Sequence, residues 1–185
     1  AIFALKGRPS SNPVIVHVPG IAAAKSLALH WPPAADALAR RFWPGPLTLV
    51  VERTDALPAA VTAGGDTVGL RVPSHPVALA LLRKAVVPVA APSANRSEEV
   101  SPTTAAHVAD SLGPFADDLL VLDGGPCDVG LESTVVDVTV DPPQVLRPGM
   151  VTLEMLRAVV PGVEEGTGEG AGVARAPGQR ARHYA

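Results

Sequence analysis

Two pairs of strand-like runs follow one another with no helix between them. Residues 47–52 and 67–72 form the first pair, with Gly64-Gly65-Asp66 as the turn into its second member; residues 133–140 and 144–146 form the second pair. Parallel neighbours need a crossover of a dozen or more residues, usually a helix, whereas antiparallel neighbours need only a turn. Strict strand–helix alternation is therefore excluded. The expectation is an α/β fold in which a mixed twisted sheet is flanked by helices. Further strands are expected at 14–18, 85–91 and 119–122. Helices are expected at 20–29, 33–42, 77–84 and 103–112, with a last one capped by Thr152 and running to Val160. Alternation along a strand puts Thr67, Gly69 and Arg71 on one face and Val68, Leu70 and Val72 on the other. It likewise sets Ile15 and His17 against Val14, Val16 and Val18.

The core of such a fold has to come from small aliphatic residues, because 47% of the 185 residues are hydrophobic and only 3% are aromatic. Few rings are left to stack on bases, and a formal net charge of -3 gives no basic surface, so direct RNA binding is not expected. Cys127 is the only cysteine, which rules out a disulfide within the chain and fits a reducing, cytoplasmic setting. No apolar run reaches the roughly 20 residues that span a bilayer, so no membrane association is expected.

Chemistry is expected where strands end. The apolar run 85–91 stops at Pro92 and passes into Ser93-Ala94-Asn95-Arg96-Ser97. Ser101 then reads as a helix N-cap, with Pro102 at the first helical position. A strand that gives way to a small polar loop and a helix start offers backbone N–H groups to an anion. Four cations flank strands or sit on a polar strand face: Lys6, Arg8, Arg71 and Arg147. Together they suit a triphosphate, or a phosphate plus a carboxylate. No Walker loop, dinucleotide glycine fingerprint, His/Cys metal cluster or nucleophile elbow is present. Cys127 has no adjacent His or cation and reads as structural or incidental. From the residues alone the chain is a phosphate- or nucleotide-binding mixed α/β domain.

Six motifs carry a resemblance. They are Lys6-Gly7-Arg8-Pro9 with Asn12-Pro13; Phe42-Trp43-Pro44-Gly45-Pro46-Leu47-Thr48; Val68-Gly69-Leu70-Arg71-Val72-Pro73; Ala91-Pro92-Ser93-Ala94-Asn95 with Ser101-Pro102-Thr103; Glu132-Ser133-Thr134-Val135; and Leu146-Arg147-Pro148-Gly149. In order and spacing the chain resembles the L-threonylcarbamoyladenylate synthase (YrdC-like) family. The resemblance implies an open sheet with a concave nucleotide-binding cleft. It also implies an enzyme that joins L-threonine, bicarbonate and ATP into threonylcarbamoyl-AMP, releasing pyrophosphate, as the first step of threonylcarbamoyladenosine modification of transfer RNA. The product would pass to a tRNA threonylcarbamoyl transferase. The resemblance implies ATP contacts at Lys6, Arg8, Asn12, Thr67, Ser93, Ser101, Arg147 and Tyr184, and L-threonine contacts at His17, Arg71, the Ala91 backbone and Ser133. Lys6 and Arg8 would neutralise charge, with no general base assigned; Mg2+ would accompany ATP, with no protein side chain assigned to the metal.

The expected organisation is a YrdC-like catalytic and nucleotide-binding domain over residues 1–160, followed by a flexible interdomain linker over 161–185. The end of that linker, 178–185, is expected to close as a lid that brings Tyr184 over the nucleotide. The family's N-terminal strand and Thr/Tyr-containing substrate motif have no counterpart in the sequence. Ser97-Glu98-Glu99 places two acids near the expected phosphates, where relatives carry a glycine after the loop serine. Two other classes fit parts of the pattern. One is a carbamoyl-transfer module that makes a carbamoyl adenylate without threonine; the other is a non-catalytic RNA-binding module.

Overall fold

In the computed structural model, which describes residues 2–116, 119–128, 130–166 and 175, the strands pair into one mixed sheet. They are β1 (Val16–His17), β2 (Leu47–Glu52), β3 (Thr67–Arg71), β4 (Val89–Ala90), β5 (Thr134–Asp137), β6 (Gln144–Arg147) and β7 (Glu164–Glu165). The order across the sheet is β4-β1-β3-β2-β5-β6-β7. Both pairs of consecutive strands, β2 with β3 and β5 with β6, are antiparallel neighbours, as the absence of intervening helices requires. Parallel pairing joins β1 to β3, β2 to β5 and β6 to β7.

Alternation divides the sheet. Leu47, Leu49 and Val51 of β2, Val68 and Leu70 of β3 and Val136 of β5 pack into the main core with Ala35, Leu38, Ala39 and Phe42 of helix α3 (Pro33–Phe42). Helix α2 (Ile21–Leu27) adds Ala24 and Leu27, and a later helix, α6 (Leu153–Arg157), adds Leu156. Each large aliphatic side chain taken fully out of water here contributes about 1.5–3 kcal/mol. Apolar residues at 35, 38, 39 and 42 give α3 its buried stripe. Pro33 opens that helix, Asp36 sits in its first turn and Arg40 and Arg41 in its last, which matches the helix dipole. The opposite face of the sheet carries Ile15, His17, Thr48, Val50, Gly69, Arg71, Ser133 and Val135. Over part of it Val50 and Val135 form a second small cluster with Leu146.

Four local expectations are corrected. The run 85–91 is not one buried strand: helix α4 (Pro76–Ala85) takes its first residue, Val86 caps the helix in the left-handed region at φ 58°, and only Val89–Ala90 pair at the sheet edge. Val86 and Val87 are exposed. Helix α5 (Ala105–Leu112) begins after Thr104, whose hydroxyl accepts from the His107 N–H at 3.2 Å, so Ser101 and Pro102 precede the helix instead of capping it. The Ser101 hydroxyl is taken up by Glu132. Residues 119–122 form no strand, and Leu120 and Leu122 face solvent. Finally, the sheet runs past residue 160. Val163 is fully buried, and Glu164–Glu165 pair with Gln144 and Val145. Farther along, Arg175 Nη1 donates to Asp137 Oδ2 at 2.6 Å and to Thr139 Oγ1 at 3.0 Å. The lid expected at 178–185, Tyr184 included, lies outside the described residues. Among the described residues no helix is long and apolar enough to cross a membrane.

Candidate active site

The pairing pattern collects polar side chains at one end of the sheet. In the parallel pair β1–β3, His17 stands beside Arg71. Because β2 runs antiparallel to β3, its start lies at the same end, and β5, parallel to β2, starts there too. Strand β6 returns antiparallel to β5 and ends with Arg147 opposite Val135. A cavity of about 230 Å³ opens there, lined by Arg8, His17, Arg71, Ala91, Ser93, Ser101, Glu132, Ser133 and Arg147, together with Ile15, Pro92, Pro102, Thr103, Cys127, Gly130 and Leu131. It occupies the sheet face that carries no large helix-facing side chains.

Each cation is fixed by backbone carbonyls. Helix α1 (Ile2–Lys6) ends at Gly7, in the left-handed region at φ 61°. Gly7 N–H donates to Ala4 O at 3.2 Å and Arg8 N–H to Phe3 O at 2.9 Å, a helix-ending pattern suited to glycine. This turn separates the two cations. Lys6 Nζ points into the loop after β4 and donates to the carbonyls of Ser93 and Asn95, while Ser97 N–H donates back to Lys6 O at 2.8 Å. Arg8 donates from Nε to Asn12 O at 3.3 Å and from Nη2 to Pro13 O at 2.6 Å. Arg71 Nε donates to Gly45 O at 3.0 Å, and Gly45 N–H in turn donates to Val72 O at 2.9 Å. A side chain at residue 45 would place its Cβ 2.3 Å from Phe42 O, so the Pro44-Gly45-Pro46 turn needs its glycine to stay close to Arg71. Arg147 donates from Nε and Nη2 to Ser133 O at 3.1 and 2.8 Å, from Nη2 to Ser133 Oγ at 3.1 Å, and from Nη1 to Glu132 Oε2. Ser133 Oγ also lies 2.8 Å from Thr48 Oγ1.

Positive charge dominates. Burial, then the repulsion of Arg147, holds the Arg71 guanidinium below its ordinary pKa, while Glu132 pulls it back up. Burial also lowers Arg8, again opposed by Glu132. For Lys6, burial and then Arg8 bring the pKa down to about 8. His17 is lowered to about 4, first by burial and then by Arg71, so its imidazole is neutral near pH 7. Unfolded His17 takes up a proton near pH 6.5 and folded His17 only near 4, so between those values the unfolded state binds more protons. Stability contributed by neutral His17 is complete above about pH 6.5 and is lost as pH falls through that window, by about 3 kcal/mol. Urea unfolding between pH 7 and 4 is expected to show this loss in the parent and to show a shallower slope in His17→Gln. Equal slopes would remove His17 as the source.

Eight of the twelve residues singled out from the sequence line the cavity: Arg8, Ser93, Ser101 and Arg147 from the nucleotide set, and His17, Arg71, Ala91 and Ser133 from the threonine set. Lys6 is buried behind the wall as the loop's anchor. Asn12 meets Arg8 through its backbone carbonyl. Thr67 stands on the same sheet face as Arg71 but at the other end of β3, opposite Glu52, about 13 Å away at strand spacing. Tyr184 lies outside the described residues. Glu98 and Glu99 do not line the cavity; Glu99 Oε2 accepts from Ser111 Oγ at 2.6 Å. Among the lining residues given no site role in the sequence reading are Cys127 and Glu132. Cys127 is held by its N–H to Thr103 O at 2.8 Å. The sequence signal for Glu132 was a single acid, beside Ser133, among cations in need of a counter-charge.

Comparison with known proteins gives the chain its family. The family model Sua5_yciO_yrdC, described as "Telomere recombination", matches residues 1–149. The chain is 44% identical over 190 residues to the threonylcarbamoyl-AMP synthase of Pyrococcus abyssi and 46% identical over 188 residues to that of Bacillus subtilis. In both cases the match covers all of this chain and 54% of the relative. The crystal structure of P. abyssi Sua5 complexed with L-threonine superposes with a TM-score of 0.92 at 44% identity, covering 100% of this chain and 54% of that one. The chain thus spans about half the length of these relatives. On a family match across most of its length, residues 1–149, the chain belongs to the Sua5/YciO/YrdC family.

Proposed function

We propose that the cavity binds ATP and L-threonine and joins them with bicarbonate to give threonylcarbamoyl-AMP and pyrophosphate, the first step of threonylcarbamoyladenosine formation in transfer RNA. The observation that carries the reading is the convergence of Arg8, Arg71 and Arg147 on one cavity beside a neutral His17. The names of the similar P. abyssi and B. subtilis proteins, and the L-threonine in the superposed structure, support the same substrates. In this reading Arg71 and His17 receive the amino acid at the ends of β1 and β3, with the Ala91 backbone and Ser133 on either side. Arg8, Ser93, Ser101 and Arg147 receive the triphosphate, with Lys6 holding the loop of Ser93 from behind and Asn12 holding Arg8. Magnesium arrives as the counter-ion of ATP.

The threonine amine and bicarbonate condense to a carbamate with loss of water. A carbamate oxygen then forms a bond to the α-phosphorus as the bond from that phosphorus to the bridging oxygen breaks, and pyrophosphate leaves with the electron pair. Proton transfer by the protein is not central to this displacement; positioning and charge neutralisation are. The cations suit that task because each is already held by a backbone carbonyl or a neighbouring residue and needs little reordering. The product goes to a tRNA threonylcarbamoyl transferase. The test is to incubate the 185-residue chain with labelled ATP and either threonine plus bicarbonate, carbamoyl phosphate, or neither. A threonine- and bicarbonate-dependent AMP adduct with pyrophosphate release is expected. An adduct only with carbamoyl phosphate would make the chain a carbamoyl-transfer module, and no adduct in any arm would count against a catalytic role.

A further inference from the structure

Glu132 supplies the only carboxylate among the described residues that line the cavity. Its side chain ties two walls together. Oε2 accepts from Arg147 Nη1 at the end of β6, and Oε1 accepts from Ser101 Oγ, 3.1 Å away, in the segment before α5. Both donors belong to the set that the proposed function gives to the triphosphate. To a guanidinium and a hydroxyl, a carboxylate and a phosphate present the same thing, paired anionic oxygens. Glu132 thus sits on Ser101 and Arg147 as a phosphate would.

Resting on that reading, we propose that Glu132 is an exchangeable internal anion: it holds Ser101 and Arg147 in place and yields them to phosphate oxygens, so that it sets how strongly a polyphosphate binds. The exchange does not strand the carboxylate. Its side chain keeps 21% of its surface exposed, and its charge also acts on Lys6, Arg8 and Arg71. Burying a charge without a partner would otherwise oppose the swap. Arg147, by contrast, stays fixed throughout by its bonds from Nε and Nη2 to Ser133, so only its Nη1 side changes partner.

The consequence is opposite to that of losing an ordinary supporting residue: removing the charge should strengthen binding. Calorimetric titration of the parent, Glu132→Gln, Arg147→Ala and the double variant, with MgATP and with inorganic tripolyphosphate, tests it. Glu132→Gln should bind both anions about tenfold more tightly, and most of that gain should disappear when Arg147 is also replaced, because the two changes act chiefly on one contact. Should Glu132→Gln fail to fold, Glu132→Asp carries the test, since the shorter side chain withdraws from Arg147 and should gain about threefold. Unchanged or weaker binding in the folded variant, or a gain undiminished by loss of Arg147, overturns the proposal. If tripolyphosphate shows the gain but the parent does not bind MgATP, the nucleotide reading fails and the internal anion stands. If MgATP binds the parent but no variant tightens, the internal anion fails alone. Absence of binding by either anion to any variant overturns both.

Discussion

Arg71→Ala is expected to weaken L-threonine binding by about tenfold to over a hundredfold while changing ATP affinity much less. A charge-assisted Arg–carboxylate contact is worth roughly 1.5–3 kcal/mol, and each 1.4 kcal/mol is about a factor of ten. The geometry favours this division. Nε of Arg71 is committed to Gly45 O, and among the described residues its side chain makes no other hydrogen bond, which leaves the terminal nitrogens of this cavity-lining residue for a carboxylate. His17, its neighbour across the β1–β3 pairing, is neutral and does not compete for the carboxylate. The residues proposed for the nucleotide lie on other elements, at Arg8, Ser93, Ser101 and Arg147. Separate titrations of each substrate decide the matter. Equal losses for both, or no loss for threonine, would take Arg71 out of the amino-acid site.

Gly149→Ala is expected to be among the most damaging single-methyl changes at the described glycines. A Cβ there would lie 2.5 Å from Thr134 N, 2.6 Å from Glu132 O and 2.8 Å from the Ser133 carbonyl carbon. All three are backbone atoms and cannot rotate away. The crowding must separate the turn after β6 from the start of β5, at the point where Arg147 grips Ser133 and where Thr134 Oγ1 and the Val151 backbone exchange hydrogen bonds of 2.8 and 3.0 Å. Overpacking of this kind costs about 3 kcal/mol, which at this chain length lowers the melting temperature by roughly 6–12 °C. Gly113→Ala is the control, since nothing lies within 4 Å of its added methyl and its φ of -52° suits any residue. A Gly149→Ala protein that melts within about 2 °C of the parent would show that the turn has room to move.

The legible parts of this protein were those written in strand alternation. The opposition of Thr67, Gly69 and Arg71 to Val68, Leu70 and Val72 is a local property of a strand, and the sheet kept it, with one set turned to the helices and the other to the opposite face, where Arg71 reaches the cavity. The absence of helices between consecutive strands likewise sufficed for a mixed sheet. Less legible were points where two distant segments compete for one group. Ser101 and Pro102 carry good helix-start chemistry, yet the Ser101 hydroxyl bonds to Glu132, 31 residues on, and Thr104 takes the cap. The run from Ala85 to Ala91 is apolar enough for a buried strand, but its first residue belongs to α4 and the next two face solvent at the sheet edge. Glu164–Glu165 have no strand pattern of their own; partnership with β6 makes them a strand. The part of Glu132 was hidden for the same reason, because its meaning depends on where Ser101 and Arg147 meet.

The division of the sheet into two faces also determines how the chain tolerates changes of length. Side chains alternate with a period of two, so one residue inserted into β3 ahead of Arg71 would exchange the faces for everything beyond it. The guanidinium would be driven into the layer of Leu38 and Leu47, and an aliphatic side chain would take its place in the cavity. Stability and chemistry would fail together, from an insertion that removes no atom of either. Two inserted residues would restore the phase but shift the pairing with His17 by a full repeat. Reading frame, in this sense, is a property of the folded strand as well as of the gene, and insertions are expected to be tolerated only in the turns between strands.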